Sequence, residues 1–238
     1  MDKETLRERI WDELEETGEA RFPFPPHGRI PNFAGAKDAA ERLTGLDAWQ
    51  DAAVIKSNPD APQLPVRRAA LHAGKTVYMA VPRLKEKECF LKLDPTALED
   101  LDKAATIGGS TDQGVQVHPE EMELIDLIVS GSVAVDSDGS RIGKGEGYSD
   151  LEFAVLRECE LVDDETTTVS TVHEIQVIDE TLPTDDHDVP IEYVCTPERT
   201  IAGGVDREKP SGIDWDKLSK EKRVEIPILE ELASEQRL

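Results

Sequence analysis

Cysteine, aromatic and basic residues are all scarce in this chain, and each shortage excludes something. Three cysteines, Cys89, Cys159 and Cys195, stand far apart in 238 residues, with no C-x-x-C among them. Neither a disulfide framework nor a zinc ribbon fits that spacing, and buried, reduced thiols are the expectation. Aromatics make up 5% of the chain, so aliphatic side chains must fill its core. No apolar run approaches the ~20 residues that a membrane span needs. The opening residues, MDKETLRERIWDELEE, are too charged for a secretory signal, and a cytoplasmic protein is expected. Lysine and arginine total 27 against 51 aspartates and glutamates, a net charge of −24. A shell of that sign repels nucleic acid and anionic membrane, so neither is an expected partner. The acid excess is spread along the chain, a pattern suited to solubility in a saline, halophilic cytoplasm, where salt screens self-repulsion.

What is present is a hydrophobic content of 38%, enough for one large domain. We place that domain at 1–203 and a tail with a terminal helix, from Ile228 to Gln236, at 204–238. Leu6, Ile10 and Leu14 recur at helical spacing near the start, and further helices are expected at 36–43, 65–73, within 95–105 and at 151–158. The stretch FPFPPHGRIPNF, 22–33, is an extended connector, because its four prolines fix the backbone. Strands are expected at 52–56, 76–84, 88–93, 122–136, 167–178 and 190–196, with a loop rich in glycine and threonine after Ala105. Apolar strands separated by helical segments imply a layered α/β fold with a largely parallel sheet.

The richest local signal is RIGKGEGYSD, 141–150, between a strand-like run and a helix-like one. Gly143, Gly145 and Gly147 alternate, which removes the Cβ atoms that would hold a ligand off the backbone. The following helix adds the positive end of its dipole, Lys144 a full charge and Asp150 a hard oxygen ligand. A nucleotide phosphate with Mg²⁺ fits that set; a flexible turn is the bland alternative. The preceding DSDGS, 136–140, is calcium-loop-like only at its start, since Gly147 stands where a bidentate glutamate is needed, and it reads as a turn.

Other charged groups are weaker signals. Lys3 and Arg7 lie at i and i+4 on one helix face, the spacing of an ordinary solvated surface. Lys56, Arg67, Arg68, Lys75 and Arg83 form a basic set in an acidic chain, three of them near strand ends. DDHD, 185–188, is either a solvated loop or the source of a second magnesium carboxylate, Asp188, with His187 the poorer ligand. His173 reads as a core histidine. No nucleophile–histidine–acid triad follows from the spacing.

Taken in order, KETLRERIW, RIPNFAGA, VPRL, GSVAVDSDGSRIGKGEGYSDLEFA, HEIQVIDETLP and HDVPIEYVCTPERTI resemble the 5-formyltetrahydrofolate cyclo-ligase family. Within it they resemble the methenyltetrahydrofolate synthase domain-containing proteins. The resemblance implies a three-layer α/β/α fold like that of ribose-5-phosphate isomerase and the CoA transferases. It implies a ligase of one-carbon metabolism that converts 5-formyltetrahydrofolate and ATP to 5,10-methenyltetrahydrofolate, ADP and phosphate. The formyl oxygen would attack the γ-phosphate, and the folate N10 would close the ring with loss of phosphate. By family match, Lys3, Arg7, Arg141, Gly143, Lys144, Gly145, Gly147 and Tyr148 would bind ATP. Lys144 and Arg141 would act in catalysis, and Asp150 and Asp188 would hold Mg²⁺. A monomer or homodimer is expected. Typical members carry GYYDR where this chain has GYSDL, so Ser149 and Leu151 replace a tyrosine and an arginine. The charge of that arginine would fall to Lys144, Arg67 or Arg68. The divergent stretch 84–118 gives no match to the family's folate-pocket residues, and Glu86, Glu88 or Phe90 within it could line a pocket. The departures leave open a non-catalytic nucleotide- or pterin-binding homologue, or an enzyme acting on another pterin or formylated substrate.

Overall fold

The computed structural model describes residues 2–203 and 207–235. Its centre is an eight-stranded sheet in the order β13-β12-β10-β7-β3-β4-β5-β6. The strands are β3 (Val54–Ser57), β4 (Thr76–Ala80), β5 (Phe90–Leu93), β6 (Val115–Val117), β7 (Leu127–Ser130), β10 (Thr167–Thr171), β12 (Tyr193–Cys195) and β13 (Thr200–Ala202). From β12 across β10, β7 and β3 to β4 every pairing is parallel, while β13, β5 and β6 join antiparallel.

Alternation along the strands builds a layer on each face. Ile55, Val77, Met79, Leu127 and Val129 point to one side, where they meet α2 (Ala36–Thr44), α3 (Asp47–Asp51), α4 (Leu64–His72) and α5 (Leu101–Ala104) through Leu43, Trp49, Leu71 and Ala104. Val54, Tyr78, Ala80 and Ile128 point to the other. There they meet α7 (Tyr148–Glu158) and α9 (Pro227–Glu235), which bury Val155, Leu156, Ile228, Leu229 and Leu232. The result is a three-layer α/β/α arrangement with a mostly parallel sheet. Beside it, α1 (Lys3–Glu16) lays Leu6, Ile10, Trp11 and Leu14 on a small sheet of β11 (Val177–Ile178), β8 (Ala134–Asp136) and β9 (Arg141–Ile142). A two-stranded ribbon, β1 (Ala20–Arg21) with β2 (Asn32–Phe33), flanks the proline-rich connector. No helix among the described residues is long and apolar enough to cross a membrane.

Two apolar runs expected as single strands are each divided between the two sheets. The run 122–136 breaks after β7, at Gly131, where an added Cβ would lie 3.0 Å from Ile30 and from the Asp60 carboxylate. The run 167–178 breaks after β10 at a short turn, Glu174–Gln176, capped by His173. Buried Gln176 then donates to the carbonyls of Ser132 (2.9 Å) and Val133 (3.2 Å), satisfying backbone that the first break leaves without a ladder. The expected strand 76–84 stops at Ala80, because Pro82 has no N–H to donate.

The expected loop after Ala105 is instead α6 (Ile107–Gln113). Thr106 caps it by accepting from the Gly109 N–H at 3.0 Å. Gly109 is required by closeness, since a Cβ there would lie 1.8 Å from the Lys103 carbonyl. Gly204, where the sequence places the start of the tail, and Gln236 lie outside the described residues. Between them, α8 (Lys220–Glu225) precedes α9. Cys89 and Cys195 are buried, and burial pushes their thiols up to about 12 and about 11.

Candidate functional site

A cavity of about 510 Å³ opens at the carboxyl ends of three adjacent strands. Asn58, Pro59 and Asp60 follow β3, Val81, Pro82 and Arg83 follow β4, and Gly131 follows β7. The chain leaves β3 towards β4 in one direction and later places β7 on the opposite side of β3. The crevice at such a reversal is open because the flanking connections run to opposite faces, which is why open α/β sheets bind ligands there. Asn58 bridges the junction: its N–H donates to the Val129 carbonyl at 3.1 Å, and its Oδ1 accepts from the Gly131 N–H at 3.3 Å.

The loop 141–147 forms the cavity's opposite wall and leads into α7. Gly145 (φ +102°) and Gly147 (φ +68°) occupy backbone conformations that side chains disfavour. A Cβ on Gly145 would meet the Arg7 guanidinium at 3.4 Å, and one on Gly147 the Lys222 ammonium at 3.4 Å. Bare backbone therefore lies directly against two cations. Gly147 is also the N-cap of the 11-residue α7, whose first residues, Tyr148, Ser149 and Asp150, line the cavity with the positive end of the helix.

All ten residues that the family match assigns to ATP or Mg²⁺ line this one cavity: Lys3, Arg7, Arg141, Gly143, Lys144, Gly145, Gly147, Tyr148, Asp150 and Asp188. Each cation holds an internal anion. Lys3 donates to Asp185 (2.9 Å) and Asp188 (3.0 Å). Burial lowers the Lys3 ammonium, but those two hydrogen bonds outweigh it and leave its pKa raised. Arg7 pairs with Glu4 at 2.7 Å and donates through Nε to the Gly143 carbonyl at 2.7 Å, tying α1 to the loop. Lys144 pairs with Glu146 at 2.8 Å, and its hydrogen bond holds the Glu146 carboxyl below the usual range. Arg141, 5% exposed, pairs with Asp150, and its Nε has no partner although buried.

The Arg141 guanidinium on the wall, the bare loop and the helix terminus together suit a polyphosphate. The donors also suit a small hard cation. Asp150 Oδ1 is taken by Arg141 and by the Val189 N–H, and Asp188 Oδ2 by Lys3 and the Asp185 N–H. The second oxygen of each carboxylate accepts no hydrogen bond from the described residues, which leaves it for a metal.

The sequence profile of the 5-formyltetrahydrofolate cyclo-ligase family matches residues 1–197. The chain belongs to that family. Among its relatives are the methenyltetrahydrofolate synthase domain-containing proteins of mouse (45% identity over 237 residues) and human (41% over 238), each aligned with 98% of this chain. The chain spans about three-fifths of their length, 63% and 61%. The NMR structure of Aquifex aeolicus 5,10-methenyltetrahydrofolate synthetase aligns at a TM-score of 0.55 and 18% identity, covering 92% of this chain and 100% of that one, and shares its fold.

Some expectations drawn from the family resemblance fail on geometry. Arg67 is buried and spent on backbone, donating to the carbonyls of Ala105 (2.9 Å), Asn58 (2.6 Å) and Asp60 (3.1 Å); burial lowers its pKa to about 10. Arg68 pairs with Asp102 at 3.4 Å on the helical face of α4, and Lys75 donates to the Ala52 carbonyl at the opposite end of the sheet. None of the three lines the cavity, so neither Arg67 nor Arg68 replaces the arginine that typical cyclo-ligases carry at the Leu151 position. Phe90 is fully buried in the core, and Glu86 and Glu88 are exposed and off the cavity wall.

Asn58, Asp60 and Glu152 on the wall escaped the sequence, where Lys56 and Arg83 stood only as members of a basic set without an assigned role. Lys56, on β3, forms a buried ion pair with Glu152 of α7, and Asn58 Nδ2 donates to the same carboxylate at 3.3 Å. Arg83 reaches Glu146 at 3.6 Å. Asp60 faces the cavity with protein around most of it, and burial raises its carboxyl pKa against the pull of Lys144. A raised carboxyl binds its proton more tightly in the folded state. Its contribution to stability is full below the unfolded value of 3.8 and lost as pH rises through the folded one. Asp60→Asn is therefore expected to melt at a higher temperature than wild type at pH 7. The difference from wild type should vanish near pH 3; calorimetric melting of both proteins from pH 3 to 8 checks it.

Proposed function

We propose that the protein is an ATP-dependent 5-formyltetrahydrofolate cyclo-ligase, forming 5,10-methenyltetrahydrofolate with release of ADP and phosphate. The observation that carries this reading is the convergence of Lys3, Arg7, Arg141 and Lys144 with a glycine loop and a helix N-terminus at the sheet's reversal point. In a chain of net charge −24, that convergence suits a polyphosphate, whose oxygens would take over the cations from the carboxylates that pair with them inside the protein.

Phosphoryl transfer asks for positioning and charge stabilisation more than for covalent chemistry from the protein. The glycine loop presents N–H groups to the phosphates, Arg7 fixes that loop from α1, and Arg141 and Lys144 would face the transferring group. Asp150 and Asp188 would hold Mg²⁺, which, when bound, neutralises charge between the terminal phosphates. The apolar part of the wall, Ile30, Ala80, Val81, Pro82 and Tyr148, offers a surface for the flat folate ring.

The test is direct. Purified protein with 5-formyltetrahydrofolate, ATP and Mg²⁺ should form methenyl product, followed by absorbance. Lys144→Ala should lower kcat/KM by about a hundredfold, the cost of one transition-state donor. No turnover by wild type across a wide salt range would overturn the assignment. A second reading rests on Leu151, 8% exposed and packed in the core where typical family members have an arginine. On that reading the protein binds nucleotide or pterin without turnover, and calorimetry would show ATP binding in the absence of product.

A further inference from the structure

The family profile ends at residue 197, yet a side chain well beyond it reaches the glycine loop. Lys222, on α8, donates from Nζ to the Glu146 carbonyl at 2.9 Å and lies 5.0 Å from the centre of the Tyr148 ring. Its ammonium is also the atom that a Cβ on Gly147 would meet at 3.4 Å. Three consecutive loop residues are thus engaged by one cation from a segment far along the chain.

α8 has no evident structural reason to sit there. It buries none of its own six residues, and Val224 is 86% exposed. The segment is anchored instead on either side, by Ile213 before it and by Ile226 and Ile228 after it, all packed against the α7 face of the sheet. Between those anchors Arg223 lies 6.0 Å from the centre of the Trp215 ring, and Lys222 is the residue of α8 that reaches the loop. Ser219 caps it by accepting from the Lys222 N–H at 3.2 Å, which fixes the residue at the start of the helix. Leu151, Ala154, Ile213 and Leu218 close an apolar cleft beneath, so that the contact between segment and α7 is apolar below and cationic at the loop.

We propose that Lys222 is a positioning residue of the nucleotide site, through which the C-terminal segment holds the glycine loop and adds positive charge at the start of α7. The inference rests on the ATP reading of the cavity. A carbonyl pinned at residue 146 orients the neighbouring N–H groups towards the cavity, and a cation beside the helix terminus strengthens its attraction for phosphate. Coupling of this kind is reciprocal, so bound nucleotide must in turn hold α8 in place.

The experiment is calorimetric titration of ATP and ADP, with Mg²⁺, into wild type, Lys222→Met, Lys222→Arg and Lys217→Met. Lys217 serves as a control because it sits on the same segment but pairs with Asp186 and Asp214, at 3.3 Å each, instead of with the glycine loop. Lys222→Met is expected to weaken both nucleotides about tenfold, the effect of one charge-assisted contact. Lys222→Arg should recover most of the loss, which a purely packing role would not allow, and Lys217→Met should stay within about twofold of wild type. Trypsin supplies a second readout. ATP should slow cleavage after Lys220 and Arg223 in wild type and not in Lys222→Met. Equal ATP affinity in wild type and Lys222→Met, or cleavage indifferent to ATP in wild type, overturns the proposal while leaving the ATP site standing. A wild type that binds no nucleotide overturns both.

Discussion

Arg141→Met is expected to lower kcat/KM for ATP-dependent turnover by about a thousandfold, the upper range for removing a preorganised charge from a phosphoryl-transfer site. The expectation comes from how the side chain is held. It is 5% exposed, it leaves β9 at the mouth of the glycine loop, and Asp150 of the following helix fixes one of its terminal nitrogens. Its Nε is buried without a partner and Asp150 holds a terminal nitrogen, so the guanidinium is already desolvated and fixed before a ligand arrives. Such a group costs little reorganisation when charge develops beside it, which is the condition under which one cation has a large effect. Arg141→Lys should keep the charge but lose the fork, and fall about ten- to a hundredfold below wild type. Melting curves separate the chemistry from folding, since Asp150 keeps its hydrogen bond from the Val189 N–H at 3.0 Å in either variant. An Arg141→Met protein that folds normally and turns over within threefold of wild type would remove Arg141 from the site.

The sequence made the glycine loop of the candidate site legible because its chemistry is local. Three alternating glycines, a lysine and an aspartate within ten residues say the same thing in any fold, and the structure keeps them together on one wall. Lys3 and Arg7 were legible only through family resemblance. Their spacing is that of a solvated face, and what brings them to the loop is the packing of Leu6, Ile10 and Leu14 on a sheet formed more than a hundred residues later. The strand breaks at Gly131 and before Gln176 were hidden because an apolar run reports burial and not which sheet is joined. α6 was hidden because IGGSTDQ has the composition of a loop; its cap and its contact with Lys103 decide otherwise. Asn58 and Asp60 follow no motif at all. Their importance comes from standing at the end of β3, where the topology reverses, and that position exists only once the strand order is known.

Lys56 carries the remaining large effect, on stability. It sits in the middle of β3 with 1% exposure, paired to Glu152, 6% exposed, on the second turn of α7. Lys56→Met should cost ~3–5 kcal/mol, because it leaves a buried carboxylate whose one remaining donor among the described residues is Asn58 Nδ2 at 3.3 Å. In a protein of this size that loss lowers Tm by roughly 10 °C. The double variant Lys56→Met, Glu152→Leu should return to within about 1 kcal/mol of wild type, since the pair's mutual attraction does little more than offset its desolvation. A denaturant-unfolding cycle over the four proteins measures the coupling, and a single substitution costing under about 1 kcal/mol would show that water reaches the pair. The restored double variant also separates stability from function. Glu152 lies on the cavity wall one turn into the helix that the glycine loop begins, and Lys56 holds that turn over β3. Apolar packing can replace the energy of the pair, but it lets the helix rotate or slide where a charged contact allows one register. The stable double variant should therefore bind ATP more weakly than wild type. Unchanged affinity would mean that the loop is positioned without the pair, by Arg7, Lys222 and its own glycines.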